Sequence, residues 1–119
     1  MKQTNQKYDL EERTAQFGEN VIKMCRSIKQ DSITRSLVDQ LTRSATSIGA
    51  NYMEANGASS KKDFRNKAHI CKKEAQETQH WLRMLSTAQP ELKEELRALW
   101  QEAHEFVLIF QKITSSLKQ

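Results

Sequence analysis

Apolar residues recur along this chain in steps of three and four, the spacing of helices that bury one face. A first helix is predicted from Asp9, an N-cap with Glu12 in capping-box register and Glu11 in the first turn. Its buried line is Leu10, Phe17, Val21, Met24 and Ile28, with Thr14 at the missing step, and it ends near Lys29 before the turn-like Gln30-Asp31-Ser32. A second helix starts at Ser32 or Thr34 and runs to about Asn56, burying Leu37, Leu41, Ala45, Ile48, Tyr52 and Ala55. Its centre, Ser44 to Ala50, is almost entirely small, which lets a neighbouring helix approach closely although Gly49 costs up to ~1 kcal/mol of helix propensity; a ligand-binding notch is the less favoured alternative. Asn56-Gly57 supplies its C-cap and a turn.

Ser60 and Asp63 resemble a capping box opening a third helix to about Ala88, on which Phe64, Ala68, Cys71, Ala75, Thr78, Leu82 and Leu85 keep the same spacing. Pro90 fits the first turn of a fourth helix, with Glu91, Glu94 and Glu95 at its positive end. Its line is Leu92, Leu96, Leu99, Ala103, Phe106, Phe110, Ile113 and Leu117. Short connections make successive helices antiparallel, so the pattern predicts an all-α, antiparallel, up-down-up-down, left-handed four-helix bundle over residues 9–119, with residues 1–8 as a flexible tail. The run Phe106, Val107, Leu108, Ile109, Phe110 covers the fourth helix on every side, so a second contact is expected there. Trp81 and Trp100 lie off the central lines and are assigned to the same contact, which makes the chain a homo-oligomer.

Three Gly and one Pro in 119 residues exclude collagen-like, Gly/Pro-rich disordered and many-turned β chains. The five-residue apolar run is too short to cross a bilayer, and residues 1–20 carry no apolar segment that could act as a secretory signal. Cys25 and Cys71 stand apart, so neither a disulfide framework nor a zinc cluster is indicated. A cytoplasmic protein with no membrane partner is the expectation.

Net charge divides unevenly. Residues 1–22 hold three basic and four acidic groups, residues 23–73 eleven and four, and residues 74–119 five and seven, so the middle segment alone carries +7. On the third helix Lys61, Arg65 and Lys72 recur at helical spacing with His69 in the same row; Lys62 and Lys73 widen that ridge, and Arg35 and Arg43 lie on the adjacent helix. Such a ridge neutralises phosphates along a nucleic-acid backbone, giving salt-dependent affinity that reads little sequence. A lysine-rich solvated face is the plainer alternative.

The same helices hold little catalytic chemistry. A di-iron carboxylate bundle needs Glu-x-x-His on two helices, and only Glu77–His80 has that form; Asn66 precedes His69 and Gln101 precedes His104. Thr78 sits on the buried line, so Glu77 and His80 flank it and do not converge on the axis. Cys71 is a core position, and His69 points about 160° away from it on an ideal helix. Gly18, Gly49 and Gly57 are scattered and form no phosphate-cradling loop. Glu54 and Glu74 sit beside core positions and need partners, for which Arg43 and Asn51 are candidates in a structural network. No cofactor, metal or catalytic residue is assigned.

The stretch Arg43-Ser44-Ala45-Thr46-Ser47-Ile48-Gly49-Ala50-Asn51-Tyr52-Met53-Glu54-Ala55, followed by Lys61-Lys62-Asp63-Phe64 through Ile70, Glu74 and Trp81-Leu82, resembles the four-helix-bundle family encoded in intervening sequences of bacterial large-subunit ribosomal RNA. That family's pattern is an Arg, a Ser-Ile pair and Asn-x-x-Glu-Gly; here Ala55 replaces the Gly after Glu54, and Gly57 comes two residues later. The match spans residues 9–115 and implies a bundle assembling into a ring, with a pentamer as its form. It is similar also to the accessory variability proteins of diversity-generating retroelements, basic bundles that bind nucleic acid and a reverse transcriptase. By position, Arg43, Asn51, Glu54 and Glu74 carry the signature and take structural roles.

These readings combine into a non-enzymatic homo-oligomer that binds RNA or DNA through Arg35, Arg43, Lys61, Lys62, Arg65, Lys72 and Lys73. The rival is a scaffold that binds a partner protein through its apolar fourth-helix turn and tryptophans.

Overall fold

The computed structural model describes residues 6–117, and those residues form four long helices and no strand. These are α1 (Gln6–Arg26), α2 (Ser32–Asn56), α3 (Lys61–Ala88) and α4 (Lys93–Ser116). α1 therefore begins at Gln6, so Asp9 lies inside the helix and not at its cap. Most of the tail expected over residues 1–8 falls outside the described residues. No described helix is long and apolar enough to cross a membrane.

Local chemistry fixes the other helix starts. Asp31 precedes α2 in extended backbone, and its Oδ1 accepts from the amides of Ile33 at 2.9 Å and Thr34 at 2.8 Å. Thr34 Oγ1 accepts in return from the Asp31 amide at 2.8 Å, so the capping box sits one residue ahead of Ser32. The Thr34 amide, with that of Ile33, holds the Asp31 carboxyl below its usual range. Ser60 caps α3 by accepting from the Asp63 amide at 3.0 Å, while the Asp63 carboxylate turns to Ser59. Pro90–Leu92 form a separate 3-10 turn, so α4 opens three residues later than Pro90. Gly57 ends α2 at φ −95°, a conformation open to any residue.

The buried faces follow the predicted lines with local exchanges. Cys25 takes the core place assigned to Met24 and Thr114 that of Ile113, and on α2 Thr34 and Ser44 are buried while Leu37 packs at the margin with Met24 and Ile113. Each exchange follows from 3.6 residues per turn, which shifts the buried arc across adjacent positions over five or more turns. Burial pushes the thiols up, Cys25 to about 11 and Cys71 to about 12. Both are inert at neutral pH.

Contact registers place the helices. α1 meets α2 where a Cβ on Gly49 would stand 3.2 Å from Thr14 Oγ1, and where one on Gly18 would meet Thr46 at 3.5 Å. α2 meets α3 through Thr78 Oγ1 donating to Ser44 Oγ at 2.9 Å and Cys71 Sγ donating to the Ile48 carbonyl at 3.6 Å. α3 meets α4 through Arg65 at Thr114, Lys72 at Gln111 and Gln79 at His104. In each pair, later residues of one helix meet earlier residues of the next. The α1–α4 seam is the least extensive. There Phe17 sets its ring edge-on to Phe106 at 5.5 Å, and Arg13 lies 5.2 Å over the Phe106 ring. Arg13 Nε donates to Glu102 Oε2 at 2.7 Å, and Nη2 donates to Glu102 Oε1 at 2.9 Å and Glu105 Oε1 at 2.6 Å.

The contact expected of residues 106–110 narrows. Phe106 and Phe110 are wholly enclosed by this chain's own helices, Phe110 against Tyr52 at 5.8 Å, and offer nothing to a second chain. Val107 and Ile109 are half-buried, and Leu108 alone is exposed.

Candidate nucleic-acid interface

At 100° per residue, Lys61, Arg65, Lys72 and Arg83 share an arc of about 40° on the flank of α3 that faces α4. The hydrogen bonds agree: Arg65 Nε donates to the Thr114 carbonyl at 3.2 Å and Lys72 Nζ donates to Gln111 Oε1. Further round the helix, Lys62, His69, Lys73 and His80 form a second arc of similar width, and all four are exposed. The acids of α3 lie elsewhere. Asp63, Glu74 and Glu77 fall on the flank toward α2, with Glu77 about 60° from the outward direction, so the acid-free part of α3 is the sector of about 120° from the Lys61 row to Lys73.

The cations on the α2 side have other work. Arg43 Nη2 donates to Glu77 Oε1 at 3.1 Å, and its Nη1 stands 3.8 Å from Glu74 Oε1. Glu74 is 7% exposed, and its Oε1 is buried without a hydrogen-bond partner. Removing Arg43 would leave that carboxylate with no cation, so Arg43 is committed to the fold more than to a ligand. Glu54 is exposed, not half-buried, and takes Lys67 Nζ at 2.6 Å. Asn51 donates to the Ser47 carbonyl at 2.9 Å and reaches neither carboxylate.

Arg35 stands apart from the ridge. The α2–α3 register puts it level with the last turn of α3, roughly 35 Å along the axis from Lys61 at 1.5 Å per residue. It sits on the α1 side of α2, close enough to Asp31 for their charges to attract. Among the described residues, Lys61, Lys62 and Lys73 form no ion pair. Sequence reasoning missed Arg83, although it continues the Lys61–Arg65–Lys72 row by one more step of eleven. It missed His80 in the outer arc too.

The candidate catalytic groups do not converge. Glu77 turns to Arg43, and the His80 ring stands edge-on to Trp81 at 4.8 Å. Trp100 stacks on His104 at 5.3 Å. Both tryptophans are half-buried against the core margin. No group of three His, Cys, Asp or Glu side chains gathers as metal ligands among the described residues.

The geometry defines a four-helix protein whose third helix carries two arcs of lysine, arginine and histidine, with packing contacts that fit a bundle. Residues 6–106 match the family of 23S rRNA-intervening sequence proteins, and the chain belongs to that family. A crystal structure of a protein of unknown function from the S23 ribosomal protein family of Bacteroides thetaiotaomicron is similar, with a TM-score of 0.78 and 29% identity. The match covers 87% of this chain and 96% of that one. Comparison with curated proteins found no match.

Proposed function

We propose that this chain is a non-enzymatic, cytoplasmic RNA-binding bundle, antiparallel and left-handed in up-down-up-down order, that works as a homo-oligomer with a pentamer as its form. RNA is preferred over DNA because the family is named for ribosomal RNA intervening sequences. The observation that carries the reading is a sector of α3 about 120° wide, where Lys61, Lys62, Lys72, Lys73 and Arg83 stand with His69 and His80 and no acid, bordered by the Arg43-bound Glu77. Cations in two parallel rows can displace counterions from a phosphate backbone, and the affinity gained falls steeply with salt. Oligomerisation multiplies that field, since each copy adds a net charge of +4.

The test is filter binding of 23S ribosomal RNA fragments across a salt series. The expected plot of log affinity against log salt is steep, and the double reversal Lys62→Glu/Lys73→Glu weakens binding about a hundredfold without changing helicity. Arg35→Glu changes it least. Binding that is flat in salt, or that survives the double reversal, removes the reading. Exposed Ile22, Met53 and Leu108 favour a protein contact as well, and it need not compete with α3 for RNA.

A further inference from the structure

Two surface features not used by the basic face of α3 complement one another. The first is a furrow of about 620 Å³ between α1 and α2. It is floored by Ala15, Gly18, Gly49 and Ala50, at the point where the two helices come closest. The exposed side chains of Ile22 and Met53 stand at its opposite ends. Glu11, Glu12 and Glu19 line its α1 wall, and among the described residues none of them forms an ion pair.

The second feature is the outer ridge of α4. Leu108 is 56% exposed there, between the half-buried Val107 and Ile109. Arg97, Gln101, Leu108 and Lys112 share an arc of about 60° on an ideal helix. Glu105 lies beside this ridge, but its carboxylate is bound to Arg13 at 2.6 Å. The remaining acid on that side, Glu94, lies one turn before Arg97. The ridge thus presents an apolar knob followed one turn later by an unpaired lysine, and the furrow presents a small-residue floor under unpaired carboxylates.

We infer that the α1–α2 furrow receives the α4 ridge of a second copy of this chain. The inference rests on the self-association in the reading above and names the surfaces that make it. Leu108 enters over Ala15 and Ala50, and Lys112 reaches the glutamates of the α1 wall. Furrow and ridge match in scale: the eleven steps from Glu11 to Ile22 span about 16 Å, and the fifteen from Arg97 to Lys112 about 22 Å. Each copy carries one furrow and one ridge on different sides, so the contact is head-to-tail. Repeated, it closes into a ring or continues as a filament. The outward arc of α3 is not part of the contact and stays open to RNA.

Sedimentation velocity of the full chain over a hundredfold concentration range tests this, with Leu108→Glu spoiling the ridge and Ala50→Glu the furrow. Both positions are exposed, so helicity is expected to be unchanged. Each variant alone is expected to sediment as a monomer where the parent chain is assembled. An equimolar mixture is expected to form a dimer and nothing larger, because one intact furrow and one intact ridge remain. Should either variant lose helicity, surface charges decide: Lys112→Glu and Glu19→Lys each weaken assembly about tenfold, and the double change restores it. Variants that keep the parent's mass, a mixture that stays monomeric, or a failed restoration overturns the inference and leaves the oligomeric reading standing. A parent that is monomeric throughout overturns both. If such a monomer takes a basic amphipathic peptide into the furrow, the occupant is another protein and the inference falls.

Discussion

The α1–α4 seam and the outward half of α3 are both built around cations, and they use them in opposite ways. At the seam Arg13 is saturated: two carboxylates accept from its guanidinium and an aromatic ring lies beneath it. Glu102, with Glu105, raises that guanidinium further above its ordinary value, so its charge is permanent and spent on holding two helices together. On the outer side of α3, Lys61, Lys62 and Lys73 stand exposed and form no ion pair among the described residues. The fold neither needs them nor neutralises them, so their charge stays available to a partner. Whether a cation serves stability or binding is decided by what the neighbouring helix presents to it.

The sharpest way to break this contrast is at the seam's apolar backing. Phe106→Ala removes a fully buried ring that touches Phe17, Phe110 and Arg13, and is expected to cost about 3–5 kcal/mol in denaturant unfolding followed by circular dichroism. The Lys62/Lys73 reversal comes next. Its expected hundredfold loss of RNA affinity, about 2.7 kcal/mol, should leave the unfolding midpoint in place. Arg13→Ala should do the reverse on a smaller scale, losing about 1–2 kcal/mol of stability while RNA affinity holds. If Arg13→Ala weakens RNA binding as much as the α3 reversal does, the two regions do not divide the work.

The smallest effect concerns the core behind both regions. Cys25 and Cys71 ionise in the unfolded chain near pH 8.5 but in the fold only near 11 and 12, so the folded state holds the extra protons. Their contribution is complete below about pH 8.5 and is lost as pH rises from there toward 12. Cys71→Ala should flatten the fall of the unfolding midpoint over that alkaline range. An unchanged slope would show that the thiol is open to water.

Much of the fold could be read from the chain because the three-and-four spacing repeats for five or more turns in each helix, and a slip of one residue changes little. What escaped was set by other helices. Asp31 caps α2 because the chain is extended there, and no local pattern distinguishes it from Ser32 or Thr34. The run from Phe106 to Phe110 looks apolar all round, yet its two aromatics point inward one turn apart, and the partners that enclose them come from α1 and α2. The lysine rows of α3 were legible as rows. Arg43 was legible as a partner for Glu74, whereas its bond to Glu77 and the place of Arg35 at the far end of the molecule depend on how α2 and α3 are aligned, which spacing along one helix does not reveal. The small stretch around Gly49 was legible, but that it floors a furrow walled by the glutamates of α1 depends on the alignment of α1 and α2.

Glu74 keeps one enclosed oxygen without a donor, a tension the bundle does not need in order to fold, since an amide or apolar side chain of similar size would sit there at lower cost. The α2–α3 interface is therefore the layer that a designer seeking a more rugged scaffold from this chain should rebuild first. In the native chain it is the layer with the most to gain from a small conformational adjustment that brings a hydrogen to that oxygen.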